Sequence, residues 1–308
     1  MARQWTLAGQ EGFEKSLQLN ENAHFPSAEQ LKLDQVLVRI HAASLNYRDV
    51  DVASPTSMVG AIKTPLAPAC DGAGVVEAVG QSVKDFKAGD RVVTIIGPVP
   101  NDDFEYCMAD AGSMLGIGND GTLLSKVVFT ESTLVRAPKS LDWLQASILT
   151  VTWITAWDAL FGIEGHYAGP GKTVLVQGTG GDSVATLQLA VAAGAAVIAT
   201  TSSSERAAKL KALGARAVIN YRENANWGQE ARAMTPGGQG CDIVVDVGGN
   251  ETLRRSLAAV KTNGIVLIIG AEMNEYIDEK GLKPAFNEVV FEFLSEKKHF
   301  AKVVVRVD

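Results

Sequence analysis

At 308 residues the chain is longer than one hydrophobic core usually supports, so two domains are expected. Its 46% hydrophobic content is that of an ordinary water-soluble protein. The net charge of −7, with acidic and basic residues interspersed, excludes the clustered basic face that nucleic acid or an anionic membrane requires. Apolar runs such as 265–269 are too short to span a bilayer, and residues 1–10 carry no basic-then-apolar leader. A cytoplasmic protein with a small-molecule substrate, and without nucleic-acid or membrane partners, is the expectation.

The first part reads as β-rich. Residues 35–42 (QVLVRIHA) alternate at a two-residue period, and 72–79 (GAGVVEAV) end at a glycine turn. Residues 86–94 (FKAGDRVVT) read as a turn feeding another strand. Short strands separated by turn signals suggest a small barrel or sandwich. Residues 98–121, rich in Gly, Asp, Asn and Pro, are predicted as a long surface loop. After Pro138 the texture changes. Residues 142–160 place apolar side chains at helical spacing, with Trp153 and Trp157 expected in the core. Strand 173–177 (TVLVQ) is followed by a glycine turn, helix 184–193 and strand 196–200. Helix 204–213 then stops at Gly214. Further strands are predicted at 217–220, 242–247 and 265–269, with helices between them. Such continuously apolar strands alternating with helices imply an α/β fold with a doubly wound parallel sheet.

The turn after TVLVQ is Gly178-Thr179-Gly180-Gly181-Asp182-Ser183. Gly178 and Gly180 permit the tight turn and close backbone approach that a pyrophosphate needs, and the following helix start offers amides and a favourable dipole. The strand before and the helix after supply the context such a loop requires. Ser183 stands where a third glycine is usual. Asp182 places a carboxylate beside the expected pyrophosphate, a repulsion of ~1–3 kcal/mol if it faces the phosphates and little if it turns to solvent. At the end of the second strand an NAD-selective protein has Asp or Glu. Here the run is Thr200-Thr201-Ser202-Ser203-Ser204-Glu205-Arg206. Hydroxyls and a guanidinium suit a 2′-phosphate, and hence NADP(H). The alternative is that Ser203 or Ser204 caps the next helix, with Arg206 a solvated first-turn residue.

Cys70, Cys107 and Cys241 lie far apart with no CxxC spacing, and His24, His41, His166 and His299 show no ligand spacing. Each cysteine reads as a small buried hydrophobe, and no metal site is expected.

Several stretches resemble the medium-chain dehydrogenase/reductase superfamily, in particular its quinone-oxidoreductase and enoyl-reductase-like branch. They are SLNYRD at 44–49, AGDRV at 88–92, Thr155-Ala156-Trp157, the GTGGDS loop, VINYR at 218–222 and HFAKVV at 299–304, in family order over nearly the whole chain. The resemblance implies a GroES-like β-barrel catalytic domain over residues 1–140 and 282–308, interrupted by a Rossmann domain over 141–281. It implies reduction of quinones or activated double bonds with NADP(H). Thr155 would touch the nicotinamide, and Arg206 and Tyr221 would grip the 2′-phosphate. Gly178, Thr179, Gly180, Gly181, Ser183, Ser202, Ser203, Val247 and Gly270 would be the other cofactor contacts. Asn46 and Tyr47 would line the catalytic cleft, Tyr47 polarising a carbonyl or relaying a proton and Asn46 orienting it. Alternatively, both pack at a loop pinned by Asp49, and Thr155 is an ordinary helix residue.

Zinc-dependent members carry Cys, His and Cys as catalytic ligands. Asn46 occupies the first of these positions here, Cys70-Asp71-Gly72 surrounds the second, and Val151 falls at the third, so a zinc-free site is expected. The chain also departs from the family after Gly270, where residues 271–276 follow directly and a sixth Rossmann strand is missing. A smaller gap lies near Phe293. Both read as internal deletions that would expose the fifth strand as a sheet edge and weaken the homodimer the family implies. The functional expectations are therefore, in order, an NADPH-dependent reductase, a non-catalytic NADPH-binding relative of it, and a zinc alcohol dehydrogenase, which would require stoichiometric bound metal.

Overall fold

The structure, a computed structural model, describes residues 3–57, 59–97, 112–270 and 303–306. The chain divides into two compact units, Met1–Val151 with Lys302–Asp308, and Thr152–Ala301.

The first unit contains β1 (Gln4–Leu7), α1 (Phe13–Ser16), β2 (Leu17–Asn20), β3 (Gln35–Leu45), α2 (Tyr47–Val52) and β4 (Asp71–Val79). After these come β5 (Arg91–Thr94), β6 (Lys126–Thr130), β7 (Leu134–Arg136) and α3 (Trp143–Ala146). A π-helical turn, Leu149–Trp153, leads into the second unit. There follow α4 (Ile154–Phe161), β8 (Thr173–Gln177), α5 (Gly181–Ala192), β9 (Ala196–Thr201), α6 (Ser204–Ala212) and β10 (Ala217–Asn220). The unit continues with α7 (Trp227–Ala233), β11 (Cys241–Asp246), α8 (Leu253–Ala259) and β12 (Val260–Ile268). Strand β13 (Val303–Arg306) belongs to the first unit again.

In the first unit β1 and β2 pair with each other, and the main antiparallel sheet runs β13-β3-β4-β5-β7, with β6 also on β3. Strand β3 is less amphipathic than its alternation predicts, because Val36, Leu37 and Val38 are all buried. Its register against β4 shifts between Leu37 and Val38 and again between Ile40 and Ala42, which re-aims successive side chains. Residues 98–111 of the predicted long loop lie outside the described residues. The remainder, 112–121, is not a simple surface loop, since Leu115 and Ile117 are buried. Gly121 allows this packing: a Cβ there would lie 1.6 Å from the Ala69 carbonyl oxygen.

The second unit is built on a parallel sheet of order β10-β9-β8-β11-β12. Val174, Val176, Val197 and Ile243 pack in one cluster, while Leu175, Ile198, Ile219 and Val244 pack in another. Alternate residues of each strand are thus covered from opposite faces, which is why the strands are apolar throughout. Among the described residues β12 is an edge strand paired only with β11, and its apolar side chains are half-buried. It begins earlier than the predicted 265, with Asn263 at φ 61° where the chain bends. Residues 271–302, on which the two deletions were read, lie outside the described residues.

The helix predicted over 142–160 is broken into α3, the π turn and α4. Trp157, expected in the core, is instead 59% exposed and tilted against Phe161 at 4.7 Å. The reason is helical phase: α4 buries Ala156, Ala159 and Leu160, so Trp157 lies off that stripe. Trp153 is half-buried.

Candidate functional site

Candidate functional residues form two groups, one within each unit. In the first unit Asn46 ends the turn between β3 and α2. Asp49 accepts a hydrogen bond from the Asn46 backbone amide at 2.7 Å, so the pinning role expected of Asp49 is real. The Asn46 side chain stands in a capping-box arrangement with the Asp49 amide but closes no cap hydrogen bond. Its Nδ2 donates to Asp71 Oδ2 at 3.1 Å and lies 3.8 Å from Cys70 Sγ. The other amide atom, Asn46 Oδ1, is buried and has no hydrogen-bond partner.

Asp71 is the hub of this group. It opens β4 opposite Ser44 of β3 and is 1% exposed. Besides Asn46, its Oδ2 accepts from Ser44 Oγ at 3.2 Å. Its Oδ1 accepts from Thr150 Oγ1 at 2.8 Å and from the Val151 amide at 3.1 Å, both in the π turn. The fold therefore brings Asn46, Cys70-Asp71 and Val151 together, the positions that the family resemblance sets against zinc ligands. The residues do not fit tetrahedral zinc. Both Asp71 oxygens receive protein donors, Asn46 turns its amide nitrogen inward, and Val151 has no ligating atom in its side chain. Among the described residues no group of three or more His, Cys, Asp or Glu could hold a metal ion.

Arg48 is buried beneath this network, with Nη1 donating to the Leu115 carbonyl at 3.2 Å. Burial alone would lower its pKa, but Cys70, Asp49 and Asp71 around the guanidinium raise it above the ordinary value. Tyr47 is half-buried. Burial first, and Asp51 second, push its phenol up from the ordinary tyrosine value. His41 stacks on Trp143 at 4.6 Å, with the Arg91 guanidinium also 4.0 Å from that ring. Its ring is therefore an aromatic packing element.

The second group lies at the carboxyl ends of β8, β9 and β11. The chain leaves β8 to opposite sides here, β9 on one and β11 on the other, the position where open α/β sheets bind ligands. Gly178 adopts φ 76°, where an L side chain is strained. Its amide donates to the Thr200 carbonyl at 3.0 Å. Helix α5 begins at Gly181, earlier than predicted, so Gly181, Asp182 and Ser183 form its first turn. No side chain caps that end. The amides of a helix's first turn and its dipole favour an anion. A Cβ added at Gly178 or Gly180 would meet nothing within 4 Å, so the glycines leave an open cradle of the kind a pyrophosphate fills.

Ser183, in the place of the third glycine, donates from Oγ to the Gln177 carbonyl at 2.6 Å. It ties helix to strand where a glycine would only have permitted their approach. Asp182 is 6% exposed, which rules out the solvent-facing alternative. Thr179 is buried, and Gly180 and Gly181 are partly so. Thr155 is half-buried in the first turn of α4.

At the end of β9 the capping alternative holds for Ser203, whose side chain accepts from the Arg206 amide at 3.3 Å; such a cap contributes about 1 kcal/mol. Ser202 and Arg206 are half-buried. Tyr221 follows β10 and is held there by its amide, which donates to the Thr201 carbonyl at 3.0 Å. Ser202, Arg206 and Tyr221 therefore follow the same end of the neighbouring strands β9 and β10. Glu205 pairs with Lys209 at 3.0 Å. That hydrogen bond and charge hold its carboxyl below the usual range.

A polar network that sequence reading missed joins the ends of β8 and β11. Gln177 donates from Nε2 to Ser256 Oγ at 2.6 Å and accepts from the Val247 amide at 3.3 Å. Ser256 in turn donates to Asp246. Asp246 Oδ1 also accepts from the Gly248 and Gly249 amides, each at 2.9 Å, and from Thr252 Oγ1 at 2.6 Å. Val247 is thus held beside the β8 end. Gly270 is buried at φ 64° just beyond β12.

An antiparallel unit with a buried polar turn and, in the same chain, a parallel sheet ending in an open glycine turn define a two-domain protein of the Rossmann-like α/β class. The comparisons agree. A model of the alcohol dehydrogenase GroES-like domain matches residues 32–139, and one of zinc-binding dehydrogenase matches residues 183–296. A zinc-type alcohol dehydrogenase-like protein of Schizosaccharomyces pombe is 35% identical over 282 residues, covering 90% of this chain and 78% of that protein. The quinone oxidoreductase of Rattus norvegicus is 30% identical over 238 residues, covering 77% of this chain and 64% of that one. The crystal structure of a putative alcohol dehydrogenase from Sinorhizobium meliloti 1021 superposes with a TM-score of 0.77 at 33% identity, covering 92% of this chain and 91% of that one. The chain belongs to the medium-chain dehydrogenase/reductase superfamily of nicotinamide-dependent oxidoreductases, with a GroES-like amino-terminal domain and a Rossmann-like domain. No helix among the described residues is long and apolar enough to cross a membrane.

Proposed function

We propose that this protein is a cytoplasmic, NADPH-dependent and zinc-independent reductase of quinones, enones or related activated carbonyl compounds. The observation that carries the reading is the end of β9 beside the uncapped start of α5. Glycines and amides suit a pyrophosphate there, and Ser202, Arg206 and Tyr221 stand where NAD-selective folds present a carboxylate. Glu205 is engaged by Lys209 and leaves that role empty. Zinc independence is supported by Asp71, whose oxygens are taken up by protein donors.

A bound reduced nicotinamide would supply the hydride for the electron-poor carbon of the substrate. The protein's part is to meet the charge that develops on the substrate oxygen and to supply a proton. Tyr47 suits the proton-donor role, because its raised pKa keeps the phenol protonated throughout the neutral range. Asn46 lies next to it in sequence, with its carboxamide held fixed.

Titration of the purified protein with NADPH and NADH, followed by NADPH oxidation over a panel of quinones and enones and metal analysis of the active sample, tests the proposal. Preferential NADPH binding and turnover without stoichiometric zinc are expected. Equal affinity for the two nucleotides, or activity proportional to bound zinc, would refute it. A second reading, a non-catalytic NADPH-binding protein, is favoured by two features: the edge position of β12 among the described residues and the buried Asp182 at the phosphate loop. Tight NADPH binding with no turnover across the panel would select it.

A further inference from the structure

Resting on the reductase reading, we infer that Asp71 is a positioning residue for the reaction. Its carboxylate fixes which way the Asn46 carboxamide faces, and so makes Asn46 Oδ1 the site's acceptor for an O–H group, whether of water or of the reduced substrate. A carboxylate only accepts hydrogen bonds, whereas an amide has a donating and an accepting end. The amide end 3.1 Å from Asp71 Oδ2 must therefore be Nδ2, since the reverse orientation would set oxygen against oxygen.

Asp71 cannot readily turn away. Ser44 holds the same oxygen, while Thr150 and the Val151 amide hold the other. The geometry thus dictates the direction of Oδ1, which stands towards the Asp49 amide in a capping-box arrangement and, among the described residues, is buried with no hydrogen bond of its own. A buried acceptor left unsatisfied is costly and is retained where a ligand or water completes it. In this chain Asp71 does by hydrogen bonding what a metal does by coordination: it fixes the three positions 46, 70–71 and 150–151 relative to one another.

Side-chain amide exchange in protein labelled with 15N-asparagine tests the orientation without any variant. The Asn46 signal, identified by its loss in Asn46→Ser, should exchange at least tenfold more slowly than that of exposed Asn22. Equal rates would overturn the assignment. Asp71→Asn then presents an amide to an amide. It should lower kcat for a quinone substrate by about 10–100-fold while leaving the Kd for NADPH unchanged. The exchange variant Asn46→Asp with Asp71→Asn restores a carboxylate–amide pair and should recover at least tenfold of that loss. A role in folding alone would instead lower the melting temperature and the active fraction, and the paired exchange would not restore kcat per folded molecule. Full kcat in Asp71→Asn, or no recovery in the exchange variant, refutes the positioning role. If the unmodified protein binds NADPH but turns nothing over, the reductase reading fails, and the amide exchange rates still decide the Asp71–Asn46 orientation.

Discussion

Tyr47 and Cys241 are both half-hidden or hidden acids held protonated by burial, yet they serve different ends. Tyr47 sits at the polar turn, where the proposed reduction would use a proton. Its phenol is raised by burial and by Asp51, so it should act as a donor across the neutral range and show no loss of activity there from its own ionisation. Tyr47→Phe should lower kcat about 100-fold with little change in NADPH affinity, measured by steady-state kinetics and fluorescence titration. Cys241, fully buried at the start of β11, has its thiol pushed up to about 12 by burial first and by Asp242 second. Its proton stays on in the folded state while the unfolded thiol ionises near 9. The unfolded state then binds fewer protons, and stability falls as pH rises. The effect is absent below pH 8 and amounts to about 1.4 kcal/mol by pH 10. Urea unfolding at pH 8 and pH 10 should show this extra alkaline loss in the unmodified chain and not in Cys241→Ala. Site-resolved mass spectrometry should find Cys241 unalkylated in the folded protein at pH 8.

At the scale of elements, the phosphate cradle depends on how α5 begins. Gly178 needs its positive φ for the turn, so substituting it would confuse strain with binding. Gly180 has φ −71° and open space around a would-be Cβ, which makes it the cleaner probe. Gly180→Ala should melt within a few degrees of the unmodified protein and bind NADPH at least tenfold more weakly, a loss of about 1.4 kcal/mol; isothermal titration and a melting curve check both halves. This element was legible in the sequence because strand, glycine turn and helix are contiguous, and the same holds for β10 and for the cap at Ser203. The π turn was not. Thr150 and Val151 answer to Asp71, a partner 79 and 80 residues distant in the chain, and no local periodicity encodes such a contact. The signal that could have found it was a carboxylate and an asparagine at positions that the family resemblance sets against metal ligands. Leu115 and Ile117 were missed for a similar reason, since glycine-rich composition resembles exposed loop until the long-range packing is known.

For the whole molecule, the cofactor should act as a stabiliser, because the cradle exists only in the folded sheet. NADPH at about 100 times its Kd should add ~2.7 kcal/mol, seen as a rise in Tm, and NADH at the same concentration should add less. A rise of equal size for both nucleotides would remove the case for 2′-phosphate selection by Arg206 and Tyr221. The two units differ in how openly their sequences declared them. The parallel sheet was readable from apolar runs alone, whereas β13 completes the first unit's sheet from the far end of the chain, a pairing that only the family likeness pointed toward.

The link from Gln177 through Ser256 to Asp246 gives the Rossmann-like unit a property of its own. The turn after β8 and the turn after β11 are keyed to a single hydroxyl on α8, so the opposing walls of a nucleotide crevice share one mechanical reference. A disturbance of α8, on a helix with no glycine-loop residue in it, would be felt as a change in the spacing between those walls, and discrimination among nucleotides would shift without any residue that touches them having been altered.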